Sequence, residues 1–128
     1  MLYLGINTEK RFYLSNGVSF AGEKGVTAEL ALPSTIDGET LSGFDAGAVY
    51  IKYGDAYAEI TLSALTGTLT LEIPDEALAS EGTIYFWAEF SADSGDIVRK
   101  TSLLPYIVGS SETYSAPEGA SDGEGGDS

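Results

Sequence analysis

Twenty carboxylates, no histidine and no cysteine make up the reactive inventory of this chain. Carboxylates alone can cleave glycosidic bonds in pairs or gather around a calcium ion, so these are the two chemistries to look for. The segments DSGD (93–96) and DGEGGD (122–127) set acids on glycine-rich turns, as a calcium loop would. Neither has the ligand spacing of an EF-hand, and the second lacks the aliphatic position of a calcium-binding β-helix repeat. They read as a turn and a solvated tail. A hydrolytic pair drawn from twenty acids has no specificity. Without histidine the chain lacks the side chain that titrates near neutrality and the commonest transition-metal ligand; without cysteine it has no thiolate nucleophile and no disulfide. Ser-His-Asp, Cys-His and HExxH centres are excluded together. The expectation is a non-enzyme with no metal and no cofactor.

The residues that remain distinctive are aromatic. In TIYFWAEF (83–90), alternation sends Ile84, Phe86, Ala88 and Phe90 to one face of a strand and Tyr85, Trp87 and Glu89 to the other. If the first set is core, Tyr85 and Trp87 lie side by side on an outer sheet face, with Tyr50 and Tyr57 placed to extend it. Such a surface fills a subunit interface or stacks on a sugar ring, unless a loop or the N-terminal segment covers it.

The elements that must position these rings are strands. GVTAELAL (25–32) alternates Val26, Ala28, Leu30 and Leu32 against Thr27 and Glu29, and Pro33 ends it. AVYIKYGDAYAEITL (48–62) reads as a hairpin turning at Gly54-Asp55. Asn16-Gly17, between RFYLS and VSFAG, signals a further hairpin, and residues 33–47 a long connection. IVRKTSLLPYIV (97–108) carries Pro105, which suggests an edge or a bend. IPDEALASEG (73–82) interrupts the pattern: Pro74 suits the first position of a helical turn, Asp75 and Glu76 favour its positive end, and Gly82 supplies positive φ at its close. Such a turn, with Leu78 as a plug over the end of the core, lets the chain pass from one sheet to the other. The fold class is all-β, an immunoglobulin-like antiparallel β-sandwich of seven or eight strands with one helical turn crossing between sheets.

At 128 residues the chain is long enough for one unstapled core, and 1–108 are assigned to it. Residues 109–128 hold five acids, no base and only Tyr114 as an aromatic, so a disordered acidic, Gly/Ser-rich tail is expected. A formal charge of −14 opposes contact with nucleic acid or an anionic membrane. No run of eighteen apolar residues and no basic leader precedes an apolar stretch, which points to synthesis in the bacterial cytoplasm without export, other than as part of a particle.

Residues 49–108, through Ile73-Pro74, Leu78, Gly82 and an Arg/Thr-bearing last strand joined by a glycine-containing loop, resemble the immunoglobulin-like N-terminal domain of phage upper baseplate proteins and related small phage structural proteins. The resemblance implies a non-catalytic virion part of the baseplate or tail that forms homo-oligomers and holds other virion proteins. It departs from that pattern after residue 108, where a coiled coil or receptor-binding region would follow. A capsid-surface or head-fibre accessory is the alternative, and a carbohydrate-binding module that takes a host glycan is the other.

Overall fold

A computed structural model describes residues 1–110. In chain order its strands are β1 (Leu2–Ile6), β2 (Phe12–Asn16), β3 (Ser19–Phe20), β4 (Thr27–Ala31), β5 (Thr35–Ile36), β6 (Glu39–Thr40), β7 (Ala46–Tyr53), β8 (Ala56–Thr61), β9 (Thr68–Glu72), β10 (Gly82–Ala92), β11 (Ile97–Lys100) and β12 (Leu104–Gly109). One sheet has the order β2-β1-β4-β9 and the other β3-β12-β10-β7-β8, while β5 and β6 form a small hairpin. β10 is the spine of the second sheet. Along one side it pairs with β7, and along the other first with β12 and then with β11.

Alternation builds the core. Val49, Ile51, Ile84, Phe86, Ala88 and Phe90 of the second sheet join Leu2, Leu4, Ile6, Ala28, Leu30 and Leu71 of the first in one buried cluster. Phe12 and Phe86 stack across the sheets, ring centroids 6.1 Å apart and planes 16° from parallel. The chain is an all-β sandwich. β7 and β8 meet through the two residues Gly54 and Asp55, with Tyr53 opposite Ala56.

The passage from β9 to β10 crosses between sheets through a 3₁₀ turn at Asp75–Leu78. Leu78 is fully buried, and its carbonyl accepts the Gly22 N–H at 2.8 Å. Pro74 stands before the turn rather than opening it: its backbone is extended, and its carbonyl accepts the Ala77 N–H at 3.1 Å. Gly82 has φ +134° and starts β10, so it serves the strand entry; the turn itself ends on Ala79 in the right-handed α region.

Four further expectations need correction. The sandwich is not wholly antiparallel, because β1–β4 and β3–β12 are parallel pairs. Parallel neighbours need a long connection, and here the chain provides one by visiting the other sheet between β1 and β4. It has twelve strands rather than seven or eight, the excess being two-residue strands and the split of 97–108 into β11 and β12. Asn16-Gly17 closes no hairpin. A type I′ turn needs positive φ at both central residues; Gly17 has it, at +117°, and Asn16 does not. The chain there leaves the first sheet for the second, where Ser19 and Phe20 pair with Val108 and Gly109. Gly109, assigned to the tail, is thus the last residue of a strand, and residues 111–128 lie outside the described residues.

Candidate functional site

The outward face of the second sheet is laid out by its register. Trp87 sits opposite Tyr50, which sits opposite Glu59 on β8. One step along, Tyr85 faces Lys52, and Lys52 faces Tyr57. The other way, Glu89 faces Ala48, and Ala48 faces Thr61. Because side chains repeat every second residue, all of these stand on one side of the sheet, away from the core.

Trp87 is the centre of this face. Tyr50 stacks on it at 5.4 Å with the planes 17° apart, and Tyr57 meets it edge to face at 6.0 Å and 88°. Tyr85 and Trp87 lie on the same outward face as neighbours along β10, and the ring partners of Trp87 come from β7 and β8. Cross-strand pairs have closer side chains than residues two apart on one strand, which is why the stack forms across rather than along. The indole N–H donates to Glu89 Oε2 at 3.2 Å, the Tyr50 hydroxyl reaches Glu59 Oε2 at 3.5 Å, and Lys100 Nζ lies 3.8 Å from Glu89. Burial in this cluster raises the Tyr50 hydroxyl above its ordinary pKa of 10.0, and the negative charges of Glu59 and Glu89 push the same way. Trp87, Tyr50 and Tyr85 are half-buried, whereas Tyr57 at the sheet edge is 61% exposed.

Beside the stack lies a shallow depression of about 200 Å³, floored by Ala46 and Ala48 and walled by Tyr50, Glu59 and Glu89. The small side chains of β7 leave this space between taller neighbours on β8 and β10. Towards β12 the face continues through Tyr85, opposite Pro105, and Thr83, opposite Ile107, which is 73% exposed. Aromatic faces, an indole donor and carboxylate acceptors are the equipment of recognition.

The structure therefore brings Tyr50, Tyr57, Tyr85 and Trp87 onto one face, and sets Pro74, Leu78 and Gly82 together at the end of the sandwich. Sequence reasoning missed Glu59, Lys52, Ile107 and the alanine floor. The last was present as a signal, since alternation from Val49 places Ala48 and Ala46 outward. At DSGD, Asp93 N–H donates to Asp45 Oδ2 at 2.9 Å and Asp93 and Ser94 take positive φ, so that loop is a turn tied to the start of β7. Among the described residues no group of three or more carboxylates gathers as a metal site, and no helix is long and apolar enough to cross a membrane. The DGEGGD segment lies outside the described residues. No protein-family model matches the sequence, and no curated protein matches it.

Proposed function

We propose that this chain is a non-catalytic structural module of a phage particle that associates with copies of itself, or docks other virion proteins, through the aromatic face of its second sheet. The observation that carries the reading is the Tyr50–Trp87–Tyr57 cluster on an outward sheet face, continued by Tyr85 and the exposed Ile107. Interfaces concentrate tyrosine, tryptophan and exposed apolar side chains in this way, and a repeated assembly gives such a face a partner. The phage assignment within that class rests on the resemblance of residues 49–108 to baseplate-type immunoglobulin-like domains, with a head or capsid-surface position as the variant of the same reading.

A carbohydrate-binding module is the second reading, favoured by the depression in which Tyr50 stands beside Glu59 and Glu89. Against it, Tyr50 already covers one face of Trp87, the ring that would stack on a sugar. Sedimentation velocity over a concentration series separates the two. The wild type is expected to associate, and Trp87→Ala to shift association to higher concentration by removing the ring on which Tyr50 and Tyr57 pack. A wild type that stays monomeric and binds a glycan array through Trp87 overturns the structural reading in favour of the sugar binder.

A further inference from the structure

The second sheet ends on β8, and the way β8 ends it points to a specific partner. Among the described residues β7 is its one strand neighbour. The Leu62 N–H donates to the Gly47 carbonyl at 2.9 Å, which marks Gly47 and Leu62 as a hydrogen-bonded pair. Antiparallel ladders alternate, so Ile60, Ala58 and Ala56 also turn their backbone groups toward β7. The N–H and C=O groups of Tyr57, Glu59 and Thr61 therefore point away from the sheet.

Natural edge strands are usually shielded by shortness, proline, bulges, charge or a covering segment. Three of the other edges here show those devices. β3 has two residues; β11 has four, with Arg99 held by Glu39 at 2.7 Å; the outer side of β2 is met by Ser102, whose Oγ accepts the Phe12 N–H at 3.2 Å. β8 runs AYAEIT without proline or bulge and with Glu59 as its single charge. β9, TLTLE, is the rival edge, but it carries no aromatic residue.

We infer that β8 pairs antiparallel with β8 of a second copy about a two-fold axis at Ala58, joining the second sheets of both copies into one continuous sheet. The inference rests on the reading of this chain as a self-associating module and names the surface and register. Faces match only when the paired residue numbers have equal parity. Two such registers overlap over most of the strand. Centred on Glu59, one sets two carboxylates directly opposite each other, which is destabilising. Centred on Ala58, the other sets Tyr57 opposite the second copy's Glu59 and Ala56 opposite its Ile60, with no like charges across the seam. In that register Tyr57 and Glu59, whose backbone groups point outward, form the hydrogen-bonded pairs, and the Ala58 pair is the non-hydrogen-bonded one. The Tyr57–Trp87–Tyr50 clusters of both copies then meet along one stripe, which gives the 61% exposed Tyr57 a neighbour.

The chain has no cysteine, so a single introduced thiol reports without background. At a non-hydrogen-bonded pair the Cα atoms are about 4.5 Å apart, within disulfide reach. Ala58→Cys in the full chain is expected to form a covalent dimer under mild oxidation, and Thr61→Cys, set away from the axis, is not. Glu59→Pro removes an N–H that β7 does not use, so it is expected to keep the wild-type melting midpoint and sediment as a monomer. Should that variant fail to fold, Tyr57→Glu places a carboxylate opposite the second copy's Glu59 and is expected to lose the dimer, which Tyr57→Glu with Glu59→Lys regains. Association unaffected by a folded Glu59→Pro but lost in Trp87→Ala rejects the edge pairing while leaving the face reading standing. Cross-linking of Thr70→Cys on β9 with none at Ala58→Cys moves the seam to the other edge and overturns the inference, and a wild type that never associates overturns it together with self-association.

Discussion

At the scale of single residues, Tyr106 and Ser19 make a polar contact inside the core. The Tyr106 hydroxyl donates to Ser19 Oγ at 2.9 Å, and the two residues are 4% and 2% exposed. Ser19 is buried because the two-residue β3 brings it against Val108, so the contact fastens the crossing segment after Gly17. Burial raises the phenol above its ordinary pKa of 10.0; the hydrogen bond to Ser19 works the other way and is outweighed, and the charge of Glu23 adds to the rise. A raised folded-state pKa means the fold favours the neutral phenol. That contribution is complete below the unfolded value and is lost as pH climbs through the folded one. At pH 8, Tyr106→Phe is expected to cost about 1 to 3 kcal/mol through the lost bond and the stranded Ser19 hydroxyl. Above pH 10 the gap between the variant and wild type should narrow, because only the wild type has this phenol to ionise. Denaturant midpoints at the two pH values measure it, and a gap that stays constant removes the pH argument. None of this was legible in the sequence. Ser19 reads there as a polar residue beside a hairpin turn, and its burial depends on a strand ninety residues away.

At the scale of elements, the passage between the sheets at 73–82 was the more legible part, since a short turn and a buried leucine are local properties, although the expected ends of that turn were not where the chain puts them: Pro74 precedes it and it closes on Ala79 rather than Gly82. Two substitutions separate the parts of this element. Leu78→Ala is expected to cost about 2 to 5 kcal/mol, as a fully buried leucine leaves a cavity. A Cβ on Gly82 would meet nothing within 4 Å, so Gly82→Ala tests backbone strain alone and is expected to cost about 1 to 3 kcal/mol at φ +134°. Denaturation midpoints unchanged in both would refute the crossing as described. The hairpin at Gly54-Asp55 and the faces of β4, β7 and β10 were also legible, because they follow from alternation and turn chemistry within a few residues. Partner choice was not. Asn16-Gly17 has the composition of a hairpin turn, yet β2 pairs backward with β1 around Asn7, whose Oδ1 accepts the Glu9 and Arg11 N–H groups at 2.9 and 3.0 Å. The break in 97–108 depends likewise on distant groups. Thr101 Oγ1 accepts the Ala88 N–H at 2.9 Å and its N–H donates to the Ala88 carbonyl, bridging the step from β11 to β12 along β10, while Ser102 N–H donates to the Lys10 carbonyl in the loop between β1 and β2. Pro105 follows in β12 beyond the reach of β3, where a missing N–H has no strand to face.

At the scale of the whole molecule, charge and apolar surface oppose each other in any self-association. The chain carries −14, with an isoelectric point near 4.1, so two copies repel before they touch. Of the six bases, Arg99 is paired with Glu39, Lys10 with Asp37, and Lys100 lies near Glu89, which leaves little positive charge to attract a second copy to the second sheet. The proposed seam contains none of them. What drives contact there is aromatic and backbone pairing, which salt does not weaken, whereas the repulsion is long-range and is screened over about 8 Å at physiological ionic strength. Association is therefore expected to strengthen as salt rises from about 0.02 to 0.5 M. Sedimentation equilibrium at matched protein concentrations reads this trend. Association that weakens with salt would mean that opposite charges hold the copies together, and would relocate the contact to the surfaces bearing Lys24 or Arg11. Strengthening in wild type, with no association at any salt in Glu59→Pro, would assign the apolar contribution to the β8 edge itself, because that substitution removes one negative charge and so lessens the repulsion it would otherwise have to overcome.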